Sequence, residues 1–267
     1  MKKILVPTDF SKADESAAQH GASLAHRISA KLELVHVINA GESGKKRGNW
    51  KKLEVEMIRA ARNGAKKRMA ALKQPLKPAY SALVGYPFQQ IISEYAVDEK
   101  FDLIVIGSRG ASGVKKALLG SKAATLINGS PKPVIVVPGR VKFSGINNIV
   151  YATDMAHLDE EVKIVAKLAK PFDVVIVNVT DKTDNARDRT SLKNILSRMA
   201  NHKKLRFEVI ENENVAKGIA AFIAREKPDL LAMFTHELGF VDKLLGQGSL
   251  HFRILFPFWR STEPKAQ

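Results

Sequence analysis

The chain contains no cysteine, which excludes disulfides, thiolate metal centres, iron–sulfur clusters and a cysteine nucleophile. Long apolar runs are missing too. None approaches the roughly 18 residues that cross a bilayer, and the Ile4-Leu5-Val6 run ends at Pro7, Thr8 and Asp9. Neither a membrane span nor a signal peptide is therefore expected, and a reducing cytoplasm is the expected compartment. The common catalytic signatures are absent as well: no GxxxxGK[ST] and no GxSxG occurs, which argues against a P-loop nucleotidase and a nucleophile-elbow hydrolase. Seven histidines stand at 20, 26, 36, 157, 202, 236 and 251 without the close His/Glu pairing of a metalloprotease. His236, Glu237 and His251 are the one group that could gather a metal; ordinary polar histidines are the expected reading, and no metal site is assigned.

Acidic residues are scarce in one half only. The formal charge is +16, but residues 1–143 carry 25 Lys+Arg against 11 Asp+Glu, and the remainder carries 18 against 16. The excess lies in a loop-like stretch, 44–52, and in a helical face within 65–77. Only Trp50 stands near this cluster, so the interleaved aromatics that stack on nucleic-acid bases are lacking, and a solvated basic face is expected rather than a nucleic-acid partner.

What the sequence does have is alternation. Hydrophobic residues make up 45% and charged residues 26% of 267 positions, a globular composition whose length favours two domains. Short β-branched runs at 3–7, 32–37, 79–84, 103–106 and 134–137 alternate with helical spacing at 11–29, 53–72, 87–96 and 121–128. Ser11 is a plausible N-cap for the first helix. Strands that apolar need helices on both faces, so the pattern predicts a parallel, doubly wound α/β fold. The pattern then restarts. Ile149 to Ala152 precede Thr153-Asp154 as Leu5 to Pro7 precede Thr8-Asp9; VVIVNV (174–179) answers LELVHV (32–37), and KPDLLAMF answers KFDLIVIG. The offset falls from 145 at Asp9/Asp154 to 142 at Val37/Val179 and 127 at Asp102/Asp229, so the second copy is shorter, as loss of the basic loop would make it. Two domains, 1–140 and 146–261, joined by VKFSG at 141–145, are expected.

The most informative stretch is GSRGASGVKKALLGSKAATLI, residues 107–127, between a strand and a helix. Glycine lets backbone N–H groups approach a ligand without a Cβ between, and Gly120-Ser121 opens a helix whose positive end favours an anion. Phosphate is the ligand such a loop suits. Asp9 follows the first strand and Gly107 ends the fourth, which are neighbours at the switch point of a doubly wound sheet. Asp9 can accept from a ligand's hydroxyl or amine donors, and it could instead cap the following helix. Arg109 and the Ser121 hydroxyl can donate to phosphate oxygens, with a solvated loop charge as the alternative for Arg109.

The spacing Gly107-x2-Gly110-x9-Gly120-Ser121, with PTD after the first strand, resembles the ATP-binding universal stress proteins. Leu34 to Val37, the GxPxxxI of Gly85, Pro87 and Ile91, and SPKPVIVVP (130–138) extend the resemblance over most of residues 1–140, and the repeat makes the chain similar to a tandem member. The resemblance implies ATP, or AMP or ADP, as ligand, with Mg²⁺ as its companion. It places Pro7, Thr8, Asp9 and Val37 at the base and ribose, and Gly107, Arg109, Gly110, Gly120, Ser121 and Lys122 on the phosphate side. Binding rather than turnover is implied, with slow hydrolysis at most, since no residue stands out as a base for activating water.

The second copy departs from this pattern. FTHEL (234–238) replaces GSRG, and Glu237 would repel a phosphate; Gly246, Gly248, Ser249 and Asp154 remain, but no GxP stands near Val215. The second copy is expected not to bind ATP in the same manner, and to pair with the first or meet a protein partner. Family domains tend to dimerise through their last strands, so a homodimer or a pairing within one chain is implied, with ILFPFW (254–259) as that strand or as core. The alternative reading is a nucleotide-independent interaction module. A nucleotidyl- or phosphoryl-transferring enzyme and salt-sensitive, nonspecific nucleic-acid binding by the basic half are the remaining readings.

Overall fold

The computed structural model describes residues 1–9, 12–39, 55–56, 58–60, 63, 78–108, 119–138, 146–155, 173–180, 205–233 and 253–256. Ser11, the basic stretch at 41–52, most of the helix expected at 53–72, the linker at 141–145 and the segment 234–249 lie outside these residues.

Ten strands are described: β1 (Lys3–Pro7), β2 (Lys31–Ile38), β3 (Ala79–Val84), β4 (Leu103–Gly107), β5 (Val134–Val137), β6 (Asn148–Thr153), β7 (Asp173–Thr180), β8 (Leu205–Glu211), β9 (Leu230–Met233) and β10 (Arg253–Phe256). They form one sheet in the order β3-β2-β1-β4-β5-β10-β9-β6-β7-β8. Every pairing within β1–β5 and within β6–β10 is parallel, whereas β5 and β10 run antiparallel, with Val136 opposite Ile254. The fold is thus α/β, with two five-stranded, doubly wound parallel sets in tandem that meet through their last strands. The tail expected as a final strand supplies β10.

Helices α1 (Lys12–Arg27), α2 (Phe88–Asp98), α3 (Ser121–Gly129) and α4 (Val215–Glu226) pack on the two faces. Along β4, Leu103 and Val105 face one core with α1, while Ile104 and Ile106 face the other with α2 and α3. Successive strand residues point to opposite faces, so both faces must be apolar, and the strands read as continuous hydrophobic runs. β6 and β7 repeat this: Ile149, Tyr151, Val174 and Ile176 on one side, Val150, Val175 and Val177 on the side of α4. The sequence shortening falls between the second and third strands, where residues 39–78 separate β2 from β3 and only 181–204 separate β7 from β8.

The repeated Asp of KFDL and KPDL has one local job in both halves. Asp102 Oδ2 accepts the backbone N–H groups of Lys2 and Lys3 at 2.5 and 3.0 Å, and Asp229 Oδ2 accepts those of Asn147 and Asn148 at 2.8 and 3.2 Å. Each carboxylate pins the start of its half's first strand to the start of its fourth, which sets the register that later brings the strand ends together at the switch point. Partial burial opposes charge on Asp102, but the Lys2 and Lys3 N–H groups, the chain's ammonium terminus and Lys132 outweigh it and hold the carboxyl below its ordinary value. A depressed folded pKa stabilises above the unfolded value and is lost as pH falls through the folded one. Asp102→Asn is therefore expected to cost about 1–2 kcal/mol at pH 7, a deficit that shrinks as pH falls through the depressed Asp102 value; urea unfolding at neutral and acid pH checks it.

Two more contacts shape the first half. Glu33 on β2 accepts from Ser81 Oγ at 2.6 Å and from the Tyr95 hydroxyl at 2.5 Å, tying β2, β3 and α2 together. The GxP motif also finds its reason. A Cβ on Gly85 would lie 2.4 Å from Ile91 Cδ1, so a larger residue there would force the Ile91 side chain on the first turn of α2 to move; a cis Tyr86–Pro87 bond leads into that turn.

Candidate functional site

In the first half the sheet order 3-2-1-4-5 changes direction between β1 and β4. In doubly wound sheets such a switch point, outside the carboxyl ends of the strands, is where ligands bind. Pro7 ends β1 and is buried; the Thr8 N–H donates to the Val35 carbonyl at 2.8 Å, and Asp9 follows with its side chain 17% exposed. Val37 lies near the end of β2, half-buried against the α2–α3 side of the core. Gly107 closes β4 opposite Val137, and the following Ser108 N–H donates to the Val137 carbonyl at 2.8 Å.

The chain returns to the switch point at Gly120, whose N–H donates to the Ser108 carbonyl at 2.7 Å. That bond fixes the start of α3 against the end of β4. Gly120 is the N-cap, no side chain caps the helix, and no acidic residue occupies its first turn. The backbone donors of the first turn have no carbonyl one turn back, and the helix dipole adds positive potential there. Ser121 and Lys122 are exposed on this turn. The Lys122 ammonium lies 3.9 Å from Asp9 Oδ2 and 5.1 Å from the centre of the Phe88 ring. Of the residues expected at a nucleotide, Pro7, Thr8, Asp9, Val37 and Gly107 stand at or just past the carboxyl ends of β1, β2 and β4, and Gly120, Ser121 and Lys122 at the start of α3; Arg109 and Gly110 lie outside the described residues.

Three neighbours were not singled out by their sequence. Phe88 carries the Lys122 ammonium on its ring face. His36 donates its Nδ1–H to the Thr8 carbonyl at 2.7 Å, which ties the exit of β1 to β2. Asp14, on the first turn of α1, is 6% exposed, and its Oδ2 accepts the Asp9 backbone N–H at 2.5 Å. Burial first, then a hydrogen bond to the Asp9 carboxyl, pushes Asp14 up to about 8; the Asp9 N–H and Lys122 pull the other way. A sequence signal for Asp14 exists, since Asp9-x4-Asp14-Glu15 recurs as Asp154-x4-Asp159-Glu160.

The second half retains the strand end but not the same chemistry. Asn178 Nδ2 donates to the Thr153 carbonyl at 3.0 Å, as His36 does to Thr8, and Asp154 is exposed. The segments that would answer the glycine loop, 234–238 and 246–249, lie outside the described residues, as do His157, His202, His236 and His251. Among the described residues no group of three or more His, Asp or Glu could hold a metal ion, and no helix is long and apolar enough to cross a membrane.

A doubly wound α/β protein with an anion-favouring helix start at its switch point is the class that this geometry defines. Comparison with known proteins narrows the class. The universal stress protein family model matches residues 1–138. Universal stress protein MJ0577 of Methanocaldococcus jannaschii is 33% identical over 153 residues, covering 51% of this chain and 94% of the relative. A universal stress protein of Thermus aquaticus is 32% identical over 142 residues, with 51% and 98% covered. Over the full length, the crystal structure of a universal stress protein from Archaeoglobus fulgidus superposes with a TM-score of 0.73 at 17% identity, covering 96% of this chain and 97% of that one; this is likeness of fold. The chain belongs to the universal stress protein family.

Proposed function

We propose that the first half, within residues 1–140, binds ATP or a related adenine nucleotide, and that the protein acts as a stress-linked regulator through that binding. The observation that supports the reading is the closeness of Asp9 to Lys122 on the uncapped α3 start, which is itself bonded to the end of β4. Each end of a nucleotide meets suitable chemistry there. Asp9 accepts from ribose hydroxyls or the adenine amine, while Pro7, Thr8 and Val37 offer backbone and apolar surface. Gly107, Gly120, Ser121 and Lys122, with Arg109 and Gly110 from the intervening loop, receive the phosphates. Backbone N–H groups, a hydroxyl and cations suit phosphate oxygens, and Mg²⁺ would accompany the phosphates to offset their remaining charge.

The second half, within 146–261, serves as the structural partner of the first. Its last strand completes the sheet across β5, so the edge at which such a domain would seek a second chain is filled from within. Binding, not turnover, is the activity proposed, in a cytoplasmic setting. Calorimetric titration of the purified full chain with ATP tests the reading: saturable heat supports it, and a folded, nucleotide-stripped protein that gives none contradicts it and favours an interaction module.

A further inference from the structure

We propose that Asp14 is a positioning residue that makes nucleotide binding by the first half proton-linked: the site is competent when Asp14 carries its proton and weakens when that proton is lost. The inference rests on the nucleotide reading above and adds a control to it. Three observations carry it. Asp14 is almost wholly buried, on the helix that follows β1. Its Oδ2 accepts the backbone N–H of Asp9, which sets the two acidic residues side by side. Lys122, the cation that Asp9 faces, is 48% exposed at the α3 start, where phosphate would lie.

With its proton, Asp14 can donate to the Asp9 carboxylate while its other oxygen accepts the Asp9 N–H. Asp9 is then held on two sides as a single anion, with lone pairs left for ribose hydroxyls. Loss of the proton removes the donor and leaves two carboxylates in contact, one of them buried. Asp9 is pushed away, and Lys122 becomes the counter-charge for a dianionic pair rather than for phosphate. A ligand that prefers the protonated form raises the Asp14 pKa further and takes up a fraction of a proton on binding.

The other charges around Asp14 leave it in this role. Among the strands packed against α1, β4 and β5 carry no ionisable side chain. Lys3 on β1 is engaged with Glu99 at the far end of the strand. On β2, Lys31 is at that far end too, Glu33 is engaged by Ser81 and Tyr95, and His36 donates to the Thr8 carbonyl. On α1 itself Glu15 is adjacent, and His20 bonds the Ser16 carbonyl one turn on. Among the described residues, Asp9 and Lys122 are the charged groups that act on Asp14.

The test is calorimetric titration of the full chain with ATP and, separately, with adenosine from pH 7 to 9.5. Adenosine has no phosphate to ionise, so a trend shared by both ligands belongs to the protein. For a ligand that binds only the protonated form, the apparent Kd rises on the order of 30-fold over this range, taking the transition near 8. Asp14→Asn keeps the shape, the acceptor and the donor without the titration, so it is expected to match the wild type at pH 7 and stay flat to pH 9.5. Asp14→Ala removes the support and is expected to weaken binding at every pH. Wild-type affinity that moves less than twofold, or an Asp14→Asn variant that keeps the wild-type slope, overturns the proposal while leaving nucleotide binding intact. No saturable binding of either ligand at any pH overturns the nucleotide reading and the proposal with it.

Discussion

Replacing Asp9 with alanine is expected to weaken ATP binding by about 10–100-fold while leaving thermal unfolding nearly unchanged. A hydrogen bond to a charged group contributes about 1.5–3 kcal/mol, and each 1.4 kcal/mol is tenfold in affinity. The Asp9 carboxylate is mostly shielded, faces the Lys122 ammonium at 3.9 Å and sits just past the end of β1, so a ribose hydroxyl there would meet it in place of water. Asp154 holds the matching position in the second half but is exposed, and FTHEL at 234–238 stands where the first half has Gly107 and Gly110. Asp154→Ala is accordingly expected to leave ATP binding unchanged. Parallel titrations of the two variants check both statements, and an equal loss in the two would move the site away from the first half.

Val136→Asp is expected to have the largest effect on the fold. Val136 is 1% exposed on β5, between Ile106 of β4 on one side and Ile254 of β10 on the other. It therefore stands on the seam where the two parallel sets meet. A carboxylate placed there is buried with no cation provided for it, which costs about 3–5 kcal/mol or more, against a total stability of about 5–15 kcal/mol for a typical domain. Loss of cooperative unfolding, or insolubility, is the expected outcome. The contrasting change is Val209→Asp on the edge strand β8, where the side chain is 42% exposed; it is expected to stay within about 0.5 kcal/mol of the parent. Urea denaturation followed by circular dichroism separates the two, and a Val136→Asp chain as stable as the parent would mean that the β5–β10 pairing contributes little.

The fold was largely readable because buried parallel strands carry their signal in composition alone. Ile4 to Val6, Leu103 to Ile106 and Val134 to Val137 are apolar on both faces, and no other element tolerates such short, β-branched runs between amphipathic helices. β8 was harder to read. RFEVIE alternates charge with apolar residues because β8 lies at the sheet edge, where Glu208 and Arg206 face each other and Glu226 of α4 also reaches Arg206. The antiparallel meeting of β5 and β10 has no local signature; it depends on which strand ends remain uncovered after each half has folded.

The same division holds at the candidate site. Asp9, Gly107 and Gly120 could be picked out because glycine spacing and a strand-terminal acid are patterns within the chain. Asp14 was harder to pick out, because an acidic residue in the first turn of a helix ordinarily complements the helix dipole; its only signal is the recurrence of Asp9-x4-Asp14-Glu15 as Asp154-x4-Asp159-Glu160, which does not say that the contact with Asp9 is buried. Phe88 reads as a core aromatic, and its place beneath Lys122 arises only when α2 and α3 are packed together.

The most direct measurement is the stoichiometry of ATP binding to the nucleotide-stripped full chain by calorimetry, with and without Mg²⁺. One saturable site per chain, lost in Asp9→Ala and kept in Asp154→Ala, is the predicted result. Two equivalent sites per chain, or no heat from a protein shown to be folded, would contradict it.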